Sequence, residues 1–172
     1  MDINSLKSQP ADLLLRLFAE TLEELRRRDL VRSSNNPVAD YAEKIAANAL
    51  GLRLIGKSGP GHDGEDAKGK RYQIKGRRVT PHNDSRQLSF MRNLDAKPFD
   101  YLVGIIFDAG FRVHRACIVP FDVVQARAAF SKHVSAHRLL LRDEVWQVPG
   151  VRDVTSEVRK AAIDVCNGAF RS

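Results

Sequence analysis

Apolar residues recur at helical spacing over residues 11–30, with Leu13, Leu14, Leu17, Phe18, Leu22 and Leu25 on one side and Arg26-Arg27-Arg28 near the end. This pattern predicts an amphipathic helix. A polar link, Ser33-Ser34-Asn35-Asn36, leads to a second helix that Asn36 can cap, Pro37 can open and Gly51 can end after Leu50. On that helix Asp40, Lys44 and Asn48 form a polar stripe, whereas Glu43 falls in line with Ala39, Ala46 and Leu50. A carboxylate in an apolar stripe calls for a cation, a proton or a metal. The plain alternative is a salt bridge from Glu43 to an arginine of the following hairpin.

Further along, the pattern predicts a strand at 52–55, a hairpin within 62–78, a loop at 81–84 and a short helix at 85–94. Residues 99–107 are almost continuously apolar, as in a central strand buried on both faces, and 111–119 pairs with it across Asp108-Ala109-Gly110. Pro120 opens a helix to about residue 130, 139–148 reads as further strand, and 155–169 is helical with Val158, Ala162, Val165 and Cys166 on its apolar side. The chain therefore reads as one α/β domain.

The hairpin carries the chemistry. Asp66-Ala67-Lys68-Gly69 suits a type I turn closed by a left-handed glycine, which pairs Asp66 with Lys70 and sets Asp63 opposite Gln73. A two-residue Lys-Gly turn would reverse this parity, but it demands positive φ at Lys68. Gln73, Lys75 and Arg77 alternate onto one face, so a carboxylate, an amide, an ammonium and a guanidinium share a surface. Asp66 is left to start the turn, and His62 reads as a strand residue near the site.

Asp63-Gly64 followed by Gln73-Ile74-Lys75 resembles the PD-(D/E)XK nuclease superfamily, most closely its Mrr-like endonucleases, over roughly residues 37–119. The resemblance implies a restriction-endonuclease-like mixed β-sheet flanked by helices, with core order αβββαβ. It further implies Mg²⁺, or Mn²⁺ in its place, held by Asp63, Glu43 and Gln73 with help from the Ile74 carbonyl. Lys75 would then act on the attacking water, so that Asp63, Gln73, Lys75 and Glu43 form the catalytic set of a DNA endonuclease. Two departures stand out: no proline precedes Asp63, and Gln73 replaces the second acid. An amide holds a cation more weakly than a carboxylate does. The alternative is thus a nucleic-acid-binding module that keeps the fold without efficient catalysis.

Charge favours a nucleic-acid partner. The net charge is +7, and residues 53–92 carry +6 of it, against −1 before them and +2 after. Basic charge concentrated around a phosphodiesterase-like site suits a phosphate backbone, with Arg77, Arg78, Lys57 and Arg86 as the expected contacts. DNA is the expected substrate, and RNA stays open because phosphate chemistry does not distinguish the sugars. Gly56-Lys57-Ser58-Gly59-Pro60-Gly61 lacks the spacing of a phosphate-binding P-loop.

In a chain of 172 residues, 43% hydrophobic content suffices for a real core. No apolar run is long enough for a membrane span, and the start lacks a secretory pattern, so the expected location is the cytoplasm. Two cysteines, Cys117 and Cys166, are too few for a structural zinc site and read as small reduced core residues. The N-terminal helix offers a surface for a homodimer or, equally, a share of the core.

Overall fold

A computed structural model describes residues 3–56 and 61–168. After a 3-10 segment at Ile3–Ser8, helix α1 (Ala11–Arg27) stops short of residue 30, because Asp29 turns left-handed at φ 56°. Its apolar side is not a core face. Leu22 is its one buried residue, while Leu14 and Phe18 of that side remain 37% and 58% exposed. Helix α2 (Val38–Leu50) begins where the Asn36 side chain accepts the Val38 N–H at 3.1 Å, and it ends at Gly51 with φ 64°.

The strands are β1 (Arg53–Leu54), β2 (Gly64–Glu65), β3 (Arg71–Arg78), β4 (Tyr101–Phe107), β5 (Val113–Pro120) and β8 (Arg152–Asp153), forming one sheet in the order β1-β2-β3-β4-β5-β8. A small ribbon pairs β6 (Ala129–Ser131) with β7 (Ala136–Arg138), and helices α3 (Phe121–Arg127) and α4 (Thr155–Cys166) complete the described elements. Within the six-stranded sheet β3 and β4 run parallel and the other neighbours antiparallel, giving a mixed α/β architecture. Alternation along β4 divides the core. Val103, Ile105 and Phe107 join Ala42, Ile45 and Ala46 of α2 and Val158 and Val165 of α4, whereas Leu102 and Ile106 join Leu88, Phe99, Val124 and Leu139 on the opposite face. Each fully buried aliphatic side chain contributes about 1.5–3 kcal/mol, so both faces are needed.

Several expectations are corrected. No helix spans 85–94, and none of the described residues between β3 and β4 is α-helical, so the observed order lacks the second helix of αβββαβ. Leu88, Met91 and Leu94 are buried, but the chain is extended: Leu88 N–H bonds the Leu139 carbonyl at 3.0 Å, and Met91 exchanges two 2.8 Å bonds with His137. Burial at three-residue spacing fitted a helix, and backbone pairing with a distant segment overrode it. That pairing also limits 139–148, where Leu140 makes an isolated bridge and Asp143–Gln147 is 3-10. The helix after Pro120 ends at Arg127, since 129–131 enters the small ribbon. In the turn at Asp108-Ala109-Gly110, Phe111 rather than Gly110 takes positive φ, and the Asp108 carboxylate accepts the Gly110 and Arg112 N–H groups. Cys117 is buried, but Cys166 is exposed at the end of α4.

Candidate functional site

The hairpin closes in the register that the turn chemistry predicts. Gly64 opposes Tyr72 and Glu65 opposes Arg71, while the Asp66 N–H bonds the Lys70 carbonyl at 3.1 Å and Gly69 sits at φ 73°. Asp66 holds its own turn by accepting the Lys68 and Lys70 N–H groups, both at 2.9 Å. These bonds to the charged form keep the Asp66 carboxyl below its ordinary pKa, led by the one from Lys70.

One residue before β2, the Asp63 N–H still bonds the Tyr72 carbonyl at 2.8 Å, but the next rung is different. Asp63 Oδ2 accepts the Ile74 N–H at 2.6 Å and also the Gln73 side-chain amide, so a carboxylate takes the place of a ladder carbonyl. At this point β2 leaves β3. An extended residue points its N–H and C=O to the same edge, so the Ile74 carbonyl shares that opened edge with Asp63.

Lys75 follows two residues on, opposite Gly104 of β4. Burial lowers its pKa, and the nearby Asp63 charge opposes that fall. Asp63 shows the converse: desolvation raises its pKa, against the Ile74 hydrogen bond and the charges of Lys75 and Arg32. Both groups are therefore shifted toward neutrality, the condition in which a metal ligand and a proton acceptor exchange charge with substrate at least expense.

Gly76 brings α2 against β3. A Cβ there would lie 2.9 Å from both the Ala42 Cβ and the Val38 carbonyl oxygen, so only glycine permits this approach. The approach sets the position of α2 and with it Glu43, whose carboxylate is ion-paired with Arg32 from the α1–α2 link. The sequence predicts a hairpin arginine, another cation, a proton or a metal for Glu43, and the partner is instead Arg32, from the link before the helix. Among the described residues Glu43 Oε2 is buried and has no hydrogen-bond donor beyond that ion pair. Arg32 also reaches the Ile55 carbonyl at 3.4 Å. Its backbone is fixed by Asp40, whose Oδ2 accepts the Arg32 N–H at 2.9 Å and the Ser33 hydroxyl at 2.8 Å. Asp40 is thus buried rather than part of a solvated stripe, because the link folds back over it.

The expected phosphate contacts are mostly engaged elsewhere. Arg77 donates to the Ser85 carbonyl at 2.8 Å and to Asn83 at 2.9 Å. Arg78 points to the other face of the sheet, binding the Ala109 carbonyl and lying 4.6 Å from the centre of the Phe111 ring. Arg86 pairs with Asp143 at 2.7 Å, and Lys57 lies outside the described residues. Lys68 and Lys70, exposed at the hairpin tip, have no ion pair among the described residues. His62 is buried with Nε2 3.1 Å from Glu65, so it serves the hairpin rather than Asp63.

The donor set suits a hard cation: two carboxylates, an amide and a main-chain carbonyl, all oxygen-bearing. No group of three or more His, Cys, Asp or Glu side chains that could hold a metal ion occurs among the described residues. Glu43 Oε2 is buried with only the Arg32 ion pair, and Asp63 is desolvated, so a cation would find two poorly solvated carboxylates here. A cavity of about 860 Å³ lies elsewhere, lined mainly by apolar side chains such as Leu25, Tyr41, Phe111 and Ile163, with Arg112, His114 and Arg159 among them. No described helix is long and apolar enough to cross a membrane. Neither a protein-family model nor a curated protein matches the chain.

Proposed function

We propose that the chain is a Mg²⁺-dependent DNA endonuclease of restriction-endonuclease-like fold, with Mn²⁺ able to substitute, working in the cytoplasm. The observation that carries this reading is the Asp63–Gln73–Ile74 junction with Lys75 two residues beyond, at the point where β2 leaves β3. Asp63, Glu43, Gln73 and the Ile74 carbonyl would hold the cation. When bound, it would supply Lewis-acid stabilisation of the charge that builds on phosphate oxygens. Lys75, with its lowered pKa, orients a water and accepts its proton as the water oxygen attacks phosphorus and the bridging P–O bond breaks. The departing oxygen takes a proton from solvent. The +6 stretch surrounding the hairpin would hold the backbone.

A second reading, a nucleic-acid-binding module without cleavage, is favoured by Gln73 in place of an acid and by Arg32 on Glu43. Incubating the protein with plasmid, single-stranded DNA and RNA, each with Mg²⁺, Mn²⁺ or EDTA, separates them. Metal-dependent nicking of plasmid that Asp63→Ala abolishes supports the nuclease. DNA retention without cleavage under every metal refutes it in favour of binding, and cleavage confined to RNA moves the substrate class.

A further inference from the structure

Glu43 is the α2 carboxylate of the proposed cation site, and a cationic side chain already faces it. Its buried oxygen has the Arg32 guanidinium against it, and that guanidinium also reaches the Ile55 carbonyl. Ile55 in turn donates its N–H to the Asp63 carbonyl at 2.9 Å, so Arg32 stands where the α2 carboxylate and the root of the Asp63 strand meet. It is positioned from α2 and not from the hairpin. Its anchor is Asp40, one turn before Glu43, which grips the backbone of residue 32 and the hydroxyl of residue 33.

We infer that Arg32 is a resident, displaceable countercharge that occupies the Glu43 side of the cation site in the metal-free protein and sets how tightly the site takes a divalent cation. The inference rests on the cation-site reading above. The physical basis is exclusion: a divalent ion at Glu43 Oε2 and a guanidinium on that oxygen would repel across a few ångströms of poorly solvated space. That oxygen, Oε2, can hold one or the other. Arg32 keeps Glu43 from being a buried unpaired charge when no metal is present, and the same contact must be broken when metal enters. Metal affinity is lower than the ligands alone would give, in exchange for a site that stays folded when empty.

The test is calorimetric titration with Mn²⁺ alone, paired with thermal melts with and without Mn²⁺, on wild type, Arg32→Gln, Arg32→Lys and Glu43→Gln. Removing the guanidinium should tighten Mn²⁺ binding by about tenfold, the scale of one nearby like charge at a partly buried site. Metal-free Arg32→Gln should melt below wild type and gain more from Mn²⁺ than wild type gains. Arg32→Lys, a point charge on a shorter stem without the guanidinium fork, should tighten binding by about threefold, and it carries the test if the Gln variant does not fold. Glu43→Gln should weaken binding. Equal or weaker Mn²⁺ binding by the folded Arg32 variants, with wild type binding normally, would overturn the countercharge role and leave the cation site standing. Absence of Mn²⁺ binding in folded wild type and Arg32 variants alike would overturn the cation site and this inference with it.

Discussion

Gln73 and Asp63 face each other across the hairpin, and the Gln73 amide nitrogen donates to the same carboxylate oxygen that receives the Ile74 N–H. The pair is neutralised by a dipole instead of a second charge. Gln73→Glu would set two carboxylates against one another in a desolvated place. The metal-free variant should lose about 1–3 kcal/mol of stability, while Mn²⁺ affinity rises because an amide ligand becomes an anionic one. Denaturant melts with EDTA or Mn²⁺ read both effects. A variant as stable as wild type in EDTA would mean that Gln73 does not confront Asp63.

Lys75 is half-buried and desolvation disfavours its charged form, so the ammonium opposes folding while the amine serves the proposed chemistry. Its folded pKa lies below the ordinary lysine value of 10.5, so the unfolded chain binds more protons between the two values and stability rises with pH across that window. Lys75→Met should abolish cleavage, raise metal-free stability at neutral pH by about 1 kcal/mol and flatten the alkaline rise in stability. Melts across alkaline pH, together with plasmid nicking, check all three outcomes.

Two aspartates three residues apart should behave in opposite ways. Asp66→Asn weakens a turn in which the carboxylate accepts two backbone N–H groups, so it should lower the melting temperature and spare Mn²⁺ binding. Because the folded pKa of Asp66 is depressed, its contribution is present above the ordinary value of 3.8 and is lost as pH falls through the folded value. Asp63→Asn should spare the turn and abolish Mn²⁺ binding. Since the pKa of Asp63 is raised, protons should also displace metal from wild type at a higher pH than from an ordinary carboxylate. Equal loss of Mn²⁺ affinity in the two variants would contradict the register.

Gly76→Ala inserts a methyl 2.9 Å from both Ala42 and the Val38 carbonyl. Both neighbours belong to α2, one of them backbone, and neither is the end of a flexible side chain, so the cost should be about 1–3 kcal/mol. Because the same approach delivers Glu43, Mn²⁺ affinity should fall together with stability. A stable variant with unchanged metal binding would show that α2 can shift without carrying Glu43 away.

With Arg77 and Arg78 engaged inside the protein, the proposed nucleic-acid contact falls to the exposed lysines of the hairpin tip. Lys68→Ala with Lys70→Ala should flatten the dependence of log K on log salt by about one unit per lost phosphate contact, equally for all DNA sequences. Arg78→Ala should instead act through stability, since its guanidinium secures Ala109 and covers Phe111. Filter binding across a salt series distinguishes the two.

What the sequence determined by itself was local. Turn chemistry at Asp66 to Gly69 set the parity of the hairpin, and strand alternation then placed Asp63 beside Gln73, because both rules act within a few residues. The unbroken apolar run through β4 likewise announced a strand buried on both faces. Gly76 was legible in principle, as a glycine inside a strand that something must approach. Tertiary structure alone decided the rest. The three-residue spacing of Leu88, Met91 and Leu94 fits either helix or extended chain, and only the backbone bonds offered by residues 137 and 139 chose between them. Arg32 carries no local signal: its position depends on Asp40 receiving the backbone of a link eight residues earlier, and its charge matters because folding removes water from Glu43.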